Sequence, residues 1–380
     1  MMGWNRRRVS FVTRILTHYR IPFHERVHQL LADAGFEYRL IHGQPDEEEK
    51  AKGDLATLPW AEPIRNHALF GRGKLVWQPI GAISRTSDLL VLGQENQLLV
   101  NYPLQLLPSA IRPKLAFWGH GRNFQSRNPD GRAERWKRFW ATRCDWWFAY
   151  TEETRRHLMS LGFPDDRITV FNNAVDTGDL TRLDADIGKE EARRAQASLG
   201  LSGRNLAIFV GGLYPDKRLD FLVAAADRIR ARVPDFELLV VGGGVERAAM
   251  EAAAAERPWL VIAGPRFGRE KAVLMKGAKL FLMPGLVGLA VLDAAALGVP
   301  IVTTAFPFHS PEIAYLKDGG QGVIVENWTD ADAYASAVAE LIGDEPRRHA
   351  LRRAGYEVAR TITIEAMAQR FARGAECALS

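Results

Sequence analysis

Short apolar runs recur along the chain, each followed by turn residues and then by a stretch of helical periodicity. In the first half the runs are Arg8–Thr13, Tyr38–Ile41, Leu89–Leu92, Leu115–Trp118, Trp146–Tyr150 and Ile168–Phe171. Continuous apolar runs of strand length suit strands buried on both faces, and strands alternating with helices form βαβ units in a parallel sheet. An amphipathic helix is expected from about Pro22 to Ala34, with Pro22 suited to its first turn and Gly35 to the position past its end. The segment Gln44–Asp54 is polar and marked by Pro and Gly, and predicts an exposed loop.

The second half repeats the alternation more cleanly. Strands are expected at Leu206–Val210, Glu237–Val241, Leu260–Ala263, Leu280–Met283, Ile301–Thr304 and Gly322–Val325. Helices are expected at Leu219–Arg232, Glu246–Ala255, Glu270–Gly277 and Leu289–Leu297. Between the halves the chain turns through Asn172–Thr177 and enters a charged helical stretch, Lys189–Leu199, ending at Gly200. A boundary near 178–204 follows, giving domains 1–178 and 179–361. The fold class is α/β, with two Rossmann-like, doubly wound parallel-sheet domains in tandem and no sequence repeat of fixed period.

Composition narrows the function classes. At 380 residues, 47% hydrophobic and 25% charged, the chain is ordinary globular material of two-domain length. No run reaches the roughly 18 apolar residues of a membrane span. Arg6–Arg8 are followed by Val9–Val12 and then by Thr13, Arg14 and Thr17, so no secretory signal is expected. Cys144 and Cys377 are far apart, which points to neither a disulfide framework nor a zinc site and fits a cytoplasmic compartment. The net charge of +5 belongs to the first half, where residues 101–150 hold 9 Lys/Arg against 3 Asp/Glu. That bias suggests an anionic partner for its surface.

In an open parallel sheet, ligands bind beyond the carboxyl ends of the strands. The turn after Val210 reads Gly211-Gly212-Leu213-Tyr214-Pro215-Asp216-Lys217-Arg218, where glycines admit a ligand to the backbone and two cations precede a helix. The turn Gly242-Gly243-Gly244 is less specific, since glycines close many loops. An NAD-type fingerprint would need a third spaced glycine that this turn lacks. The turn Pro284-Gly285-Leu286-Val287-Gly288 runs into an apolar helix from Leu289, and such a start with free amides suits a diphosphate. Asp293 is the one carboxylate on that helix. It needs a partner, either ribose hydroxyls or an internal salt bridge or cap.

Taken in order, these residues resemble glycosyltransferase family 4, retaining nucleotide-sugar-dependent enzymes of the GT-B fold. The resemblance covers most of the chain and is strongest from Asn173 to Gly322. Asn173-Ala-Val-Asp176 is similar to the family's inter-domain segment, Val210-Gly-Gly-Leu…Asp216-Lys217 to its donor-pyrophosphate turn, and Gly298-Val-Pro-Ile-Val-Thr-Thr to the strand after its signature helix. The resemblance implies two domains facing across a cleft. It assigns acceptor binding to 1–178, where a C-terminal helix near 362–380 can pack back, and donor binding to 179–361. The donor would be a UDP- or GDP-sugar with no metal and no other cofactor. It would be held by Gly211, Gly212, Lys217, Gly243 and the Gly285–Leu289 turn, with Asp293 on the ribose. His120, in Trp118-Gly-His120-Gly-Arg122-Asn123, would face the donor sugar. Catalysis would then fall to His120, Lys217 and Asp293. Two departures stand out. The signature's paired glutamates fall on Gly285 and Asp293, so the first carboxylate is missing. An arginine expected at Gly212 is also absent, and Arg218 or Arg266 would supply its charge.

The acceptor side is looser. Arg14, His18, Tyr19 and Arg20 follow the first strand, where Arg14 or Arg20 could meet an acceptor phosphate, and Arg122 with Asn123 follow the fourth. Between 122 and 147 arginines interleave with tryptophans, a composition suited to an anionic membrane surface or, equally, to a basic helix packed by its tryptophans. Nucleic acid is set aside for want of an RNA-binding motif. The resulting expectation is a glycosyltransferase acting on a glycan or lipid-linked acceptor in bacterial surface polysaccharide or lipopolysaccharide synthesis, peripheral on the inner membrane face. A nucleotide-binding partner protein that has lost catalysis is the rival.

Overall fold

A computed structural model describes residues 6–50, 55–69 and 75–380. The chain divides into two compact units, one comprising the described residues up to Asn173 together with Ile364–Ser380, the other Ala174–Thr363. The division falls before the expected 178. The reason is local: Asp176 caps the helix Thr177–Asp186 by accepting the Asp179 amide, and that helix packs on helices Ala290–Ala296 and Glu345–Thr361 of the second unit.

The first unit is built on a seven-stranded parallel sheet. Its strands are β1 (Arg8–Thr13), β2 (Glu37–Gly43), β3 (Glu62–Ile64), β6 (Leu89–Gly93), β7 (Lys114–Gly119), β8 (Trp146–Ala149) and β9 (Ile168–Val170), and β4 (His67–Leu69) pairs antiparallel with β5 (Leu75–Trp77) outside it. The order is β3-β2-β1-β6-β7-β8-β9. Every residue of β6 is buried, as a central strand covered on both faces requires. Ile41, Leu90, Phe117 and Trp147 form part of one core on this sheet. On another face the helix Ile21–Asp33 buries Phe23, Val27 and Leu31 and packs on the helix Ile364–Leu379. Phe11, Phe23, Phe148 and Phe171 all meet the ring of Phe371 there. That C-terminal helix lies close because residue 374 is glycine: a Cβ would sit 2.4 Å from Thr169 Oγ1 and 2.8 Å from the Phe148 ring.

The Gln44–Asp54 segment is not simply an exposed loop. Residues Glu47–Lys50 form a helical turn, and Glu49 is buried because it pairs with Arg14. Residues 51–54 of that expected loop lie outside the described residues.

The second unit carries β10 (Asn205–Val210), β11 (Phe236–Val241), β12 (Leu260–Gly264), β13 (Leu280–Leu282), β14 (Ile301–Thr304) and β15 (Gly322–Val325), all parallel in the order β12-β11-β10-β13-β14-β15. The direction of winding reverses between β10 and β13. Turns leaving those two neighbours therefore diverge and open a crevice at the carboxyl end of the sheet, where α/β proteins bind ligands.

Candidate functional site

At the switch point of the second unit, the turns after β10 and β13 are joined by their own hydrogen bonds. The Leu286 amide donates to Asp216 O at 2.8 Å, and Lys217 Nζ donates to Leu286 O at 2.6 Å with Met283 Sδ 3.9 Å away. Lys217 is partly exposed as a residue, but its ammonium is enclosed between these turns. Desolvation lowers its pKa to about 8, against a small opposing pull from Asp216. The cation thus has a carbonyl as its close partner at the carboxyl end of a central strand.

Gly285 is held in place by contact. A Cβ there would lie 2.4 Å from Asp216 O and 2.5 Å from Lys217 C. The missing carboxylate of the family signature thus has no room in this backbone arrangement. The amides of the turn also differ from expectation. Those of Leu286 and Val287 are spent internally, the first on Asp216 O and the second on His309 Nδ1 at 2.9 Å. His309 accepts at Nδ1 and so carries its proton on Nε2, which donates to Thr304 O at 2.8 Å. Burial lowers the His309 pKa and keeps this tautomer neutral. Among the described residues the amides of Gly285, Gly288, Leu289 and Ala290 make no hydrogen bond, so within the expected Gly285–Leu289 turn the Leu286 and Val287 amides are the ones taken up by the protein itself. His309 went unnoticed in the sequence, although it follows β14, the strand next to β13.

Asp293 has a protein partner. Its Oδ2 meets Lys271 Nζ at 2.9 Å, with both side chains largely buried. The internal salt bridge, rather than an obligatory ribose, accounts for this carboxylate on an apolar helix. Arg218 is likewise committed: its guanidinium donates to Trp328 O and stacks 4.2 Å over Phe221 and 4.8 Å over Trp328. The residue takes a left-handed conformation, φ 56°, which turns its side chain into this aromatic box. Arg266 is the cation left more open, donating to Pro265 O at 2.9 Å and lying 3.7 Å from Glu270. A Cβ on Gly264 would lie 3.8 Å from Arg247 NH1 and 3.9 Å from Arg266 NH1, so Arg247 joins Arg266 beyond the end of β12. The glycine-rich turns serve each other. Gly211 donates to Val241 O, and a Cβ on Gly242 would come within 1.9 Å of Gly211 O. Gly212 faces the Tyr214 ring, whereas a Cβ on Gly243 would meet only Pro265.

In the first unit, His120 sits between Gly119 and Gly121, both at positive φ, directly after β7. Its ring meets Tyr150 edge-on with centroids 4.6 Å apart. Tyr150 OH in turn accepts from Arg20 NH2 at 2.9 Å, and Arg20 also donates to Asn173 Oδ1 at 2.6 Å. Arg20 is therefore a buried tie between elements and cannot serve as an open phosphate ligand. Arg14 is neutralised by Glu49, with Glu95 3.5 Å away. His18 is exposed and edge-on to Tyr19. Arg122 pairs with Glu153 at 2.8 Å and stacks on Phe124, while Asn123 Oδ1 accepts the Gln125 amide. Tyr150 and Asn173 complete the network; neither was singled out for it, because nothing in their spacing reports a contact with Arg20.

The basic aromatic stretch divides by position. Trp147 is fully buried and donates to Ala141 O, and Trp140 is buried on the helix Arg132–Ala141. Trp136 and Phe139 of the same helix are 49% and 53% exposed; Phe139 lines a groove with Arg135, Arg138 and Arg143, while Trp136 packs on Tyr102 and Trp140. Among the described residues no cluster of His, Cys, Asp and Glu is placed to hold a metal ion, and no helix is long and apolar enough to cross a membrane.

Two family models match the chain. The one described as Glycosyltransferase Family 4 covers residues 25–179, and the one described as glycosyl transferases group 1 covers 204–344. Together they span most of both units, and the chain belongs to the family 4 glycosyltransferases of the GT-B fold. Among its relatives, a GDP-mannose-dependent alpha-(1-6)-phosphatidylinositol monomannoside mannosyltransferase of Mycolicibacterium smegmatis is 33% identical over 177 residues, 43% of this chain and 45% of its own. A D-inositol 3-phosphate glycosyltransferase of Nocardia farcinica is 33% identical over 224 residues, 54% of this chain and 46% of its own. The chain thus spans about half the length of the curated relatives it matches. HepE of Anabaena in complex with UDP-glucose superposes with a TM-score of 0.69 at 14% identity, over 97% of this chain and 99% of that one. WaaG, a glycosyltransferase involved in lipopolysaccharide biosynthesis, superposes at 0.65 and 15% identity over 96% and 98%. Those two likenesses establish the fold.

Proposed function

We propose that the chain transfers a sugar from a nucleotide diphosphate sugar to a glycan or lipid-linked acceptor of the bacterial envelope, with retention of configuration. The observation that carries this reading is the enclosed Lys217 ammonium at the switch point, 2.6 Å from Leu286 O, in the same turn region as the Gly288–Ala290 amides, which make no hydrogen bond among the described residues. Those groups would bind the donor diphosphate and stabilise the negative charge it gains as the bond from sugar C1 to phosphate oxygen breaks. The acceptor hydroxyl forms the new bond to C1 on the same face and gives its proton to the departing phosphate oxygen. His120 would support the sugar, and Arg266 with Arg247 would add charge near the nucleotide. The base stays open between UDP, which HepE binds, and GDP, for which the mycobacterial relative is named. Trp136, Phe139 and the neighbouring arginines support docking on an anionic membrane.

Transfer or donor hydrolysis by the purified chain, assayed over UDP- and GDP-sugars, tests the reading. Lys217→Ala should lower turnover by about a hundredfold or more. Equal turnover in that variant removes Lys217 from the mechanism. The absence of room for a carboxylate at Gly285 favours a second reading, a nucleotide-binding partner protein without chemistry. Nucleotide binding with no turnover on any donor would select it.

A further inference from the structure

The second unit contains another polar cavity, of about 490 Å³, at the opposite edge of its sheet from the donor turns. It lies at the amino ends of β10 and β13, beside Asn205 and Lys279, and is closed by the helices Lys189–Ala197 and Glu345–Thr361. Asp184 and Glu345 line it, and Glu345 also acts as a countercharge to Lys279 and Arg348. Asp184 pairs with Lys276 at 3.2 Å and accepts from Tyr356 OH at 3.0 Å, and Glu345 meets His349 at 3.3 Å. Three cations there have only neutral acceptors: Lys279 on Asn205 Oδ1 at 2.6 Å, Arg348 on Leu341 O at 2.7 Å, and Arg352 on Gly298 O at 2.7 Å.

Arg348 and Arg352 are four residues apart on one helix, so their charges share a face and repel. Burial lowers the pKa of both Lys279 and Arg348; Arg348 adds to the lowering at Lys279 against Asp235 and Glu345, whereas at Arg348 the opposing pull of Glu345 comes ahead of the repulsion from Arg352, with Asp344 opposing as well. Gln196, 3% exposed, also lines the cavity, and its Nε2 has no hydrogen-bond partner among the described residues. A buried amide donor without an acceptor and a cluster of like charges are both costly unless an anion completes them.

We propose that this cavity is a second anion site, which takes a small phosphorylated metabolite and is separate from the donor crevice. Guanidinium forks suit phosphate oxygens, and three cations with an amide donor match a multiply charged group better than a halide. Among the described residues the walls offer Tyr356 and His349 as ring faces, so a sugar phosphate or diphosphate fits better than a nucleoside. This inference stands whether or not the chain transfers sugar.

Inorganic pyrophosphate serves as the probe, with binding measured by calorimetry on the full chain. Because the donor turn also suits diphosphate, the measurement is made in Lys217→Ala. That variant should retain one pyrophosphate site, and adding Arg352→Gln should weaken it by about tenfold or more. Loss of all binding in Lys217→Ala alone, or unchanged affinity after Arg352→Gln, overturns the proposal. Arg352 also holds Gly298 O, so a second measurement uses the unmodified chain: acetylation of Lys279, followed by mass spectrometry, should slow with pyrophosphate while exposed Lys317 is unaffected. Equal Lys279 labelling with and without pyrophosphate refutes the site.

Discussion

Replacing Gly285 with glutamate puts back the residue type of the family signature, yet the structure argues that it damages the site. The new Cβ would lie 2.4 Å from Asp216 O and 2.6 Å from Lys217 O, both backbone atoms that no side-chain rotation can move. The two turns must part, at an overpacking cost of about 1–3 kcal/mol. Parting them also breaks the Leu286 amide to Asp216 O bond and the charged Lys217 to Leu286 O bond. With roughly 2–3 kcal/mol for those, the total is about 3–6 kcal/mol. At about 2–4 °C per kcal/mol for a domain of this size, Tm should fall by roughly 6–24 °C. Scanning calorimetry reads this, with Gly285→Ala as the companion because it carries the same Cβ without the charge. Both variants should lose stability and nucleoside diphosphate binding together. A Gly285→Glu chain with unchanged Tm and stronger donor binding would refute the reasoning.

The Lys217 ammonium, lowered from 10.5 to about 8, sets a pH dependence of definite sign. Its folded pKa lies below the unfolded one, so its destabilisation is full below pH 8 and is relieved as pH rises from about 8 to 10.5. Diphosphate binding needs the proton, so by calorimetry Kd should weaken above pH 8 by up to about tenfold per unit, a dependence absent in Lys217→Met. Asp293→Asn should lower the Tm of the unliganded chain by a few degrees, because Lys271 loses its partner at a cost of about 1–3 kcal/mol; an unchanged Tm would return Asp293 to a purely ligand-binding role. Arg20→Met should destabilise by about 2–4 kcal/mol in urea unfolding, since Tyr150 OH and Asn173 Oδ1 lose their donor. Co-sedimentation with anionic vesicles should be weakened by high salt and by neutralising Arg135, Arg138 and Arg143 together, and salt-insensitive binding would exclude the electrostatic account.

The positions of most strands and of the turns after them were legible in the chain because both depend on local periodicity. Helix Leu219–Arg232 and strands Ile301–Thr304 and Gly322–Val325 fall where the apolar pattern put them. Partnerships were not legible. Arg14, Arg20, Arg218 and Asp293 each carry the chemistry expected of a ligand contact, yet each is satisfied by a group distant in sequence: Glu49, Tyr150 with Asn173, Trp328 and Lys271. A charge pattern states that a partner is needed without saying whether the fold or the ligand supplies it. The short strands β3, β4 and β5 were missed for a related reason, being edge or hairpin elements too short to show a period.

The hydrogen bond from Lys217 to Leu286 O sets a competition for any anion that enters the crevice. Any incoming anion must outbid a carbonyl dipole already seated on the cation. A singly charged, well-hydrated ion such as chloride gains little by that exchange, whereas a diphosphate can take the ammonium and the Gly288–Ala290 amides at once. For the diphosphate proposed above, the resting bond would thus act as a valence filter, favouring multivalent anions over monovalent ones.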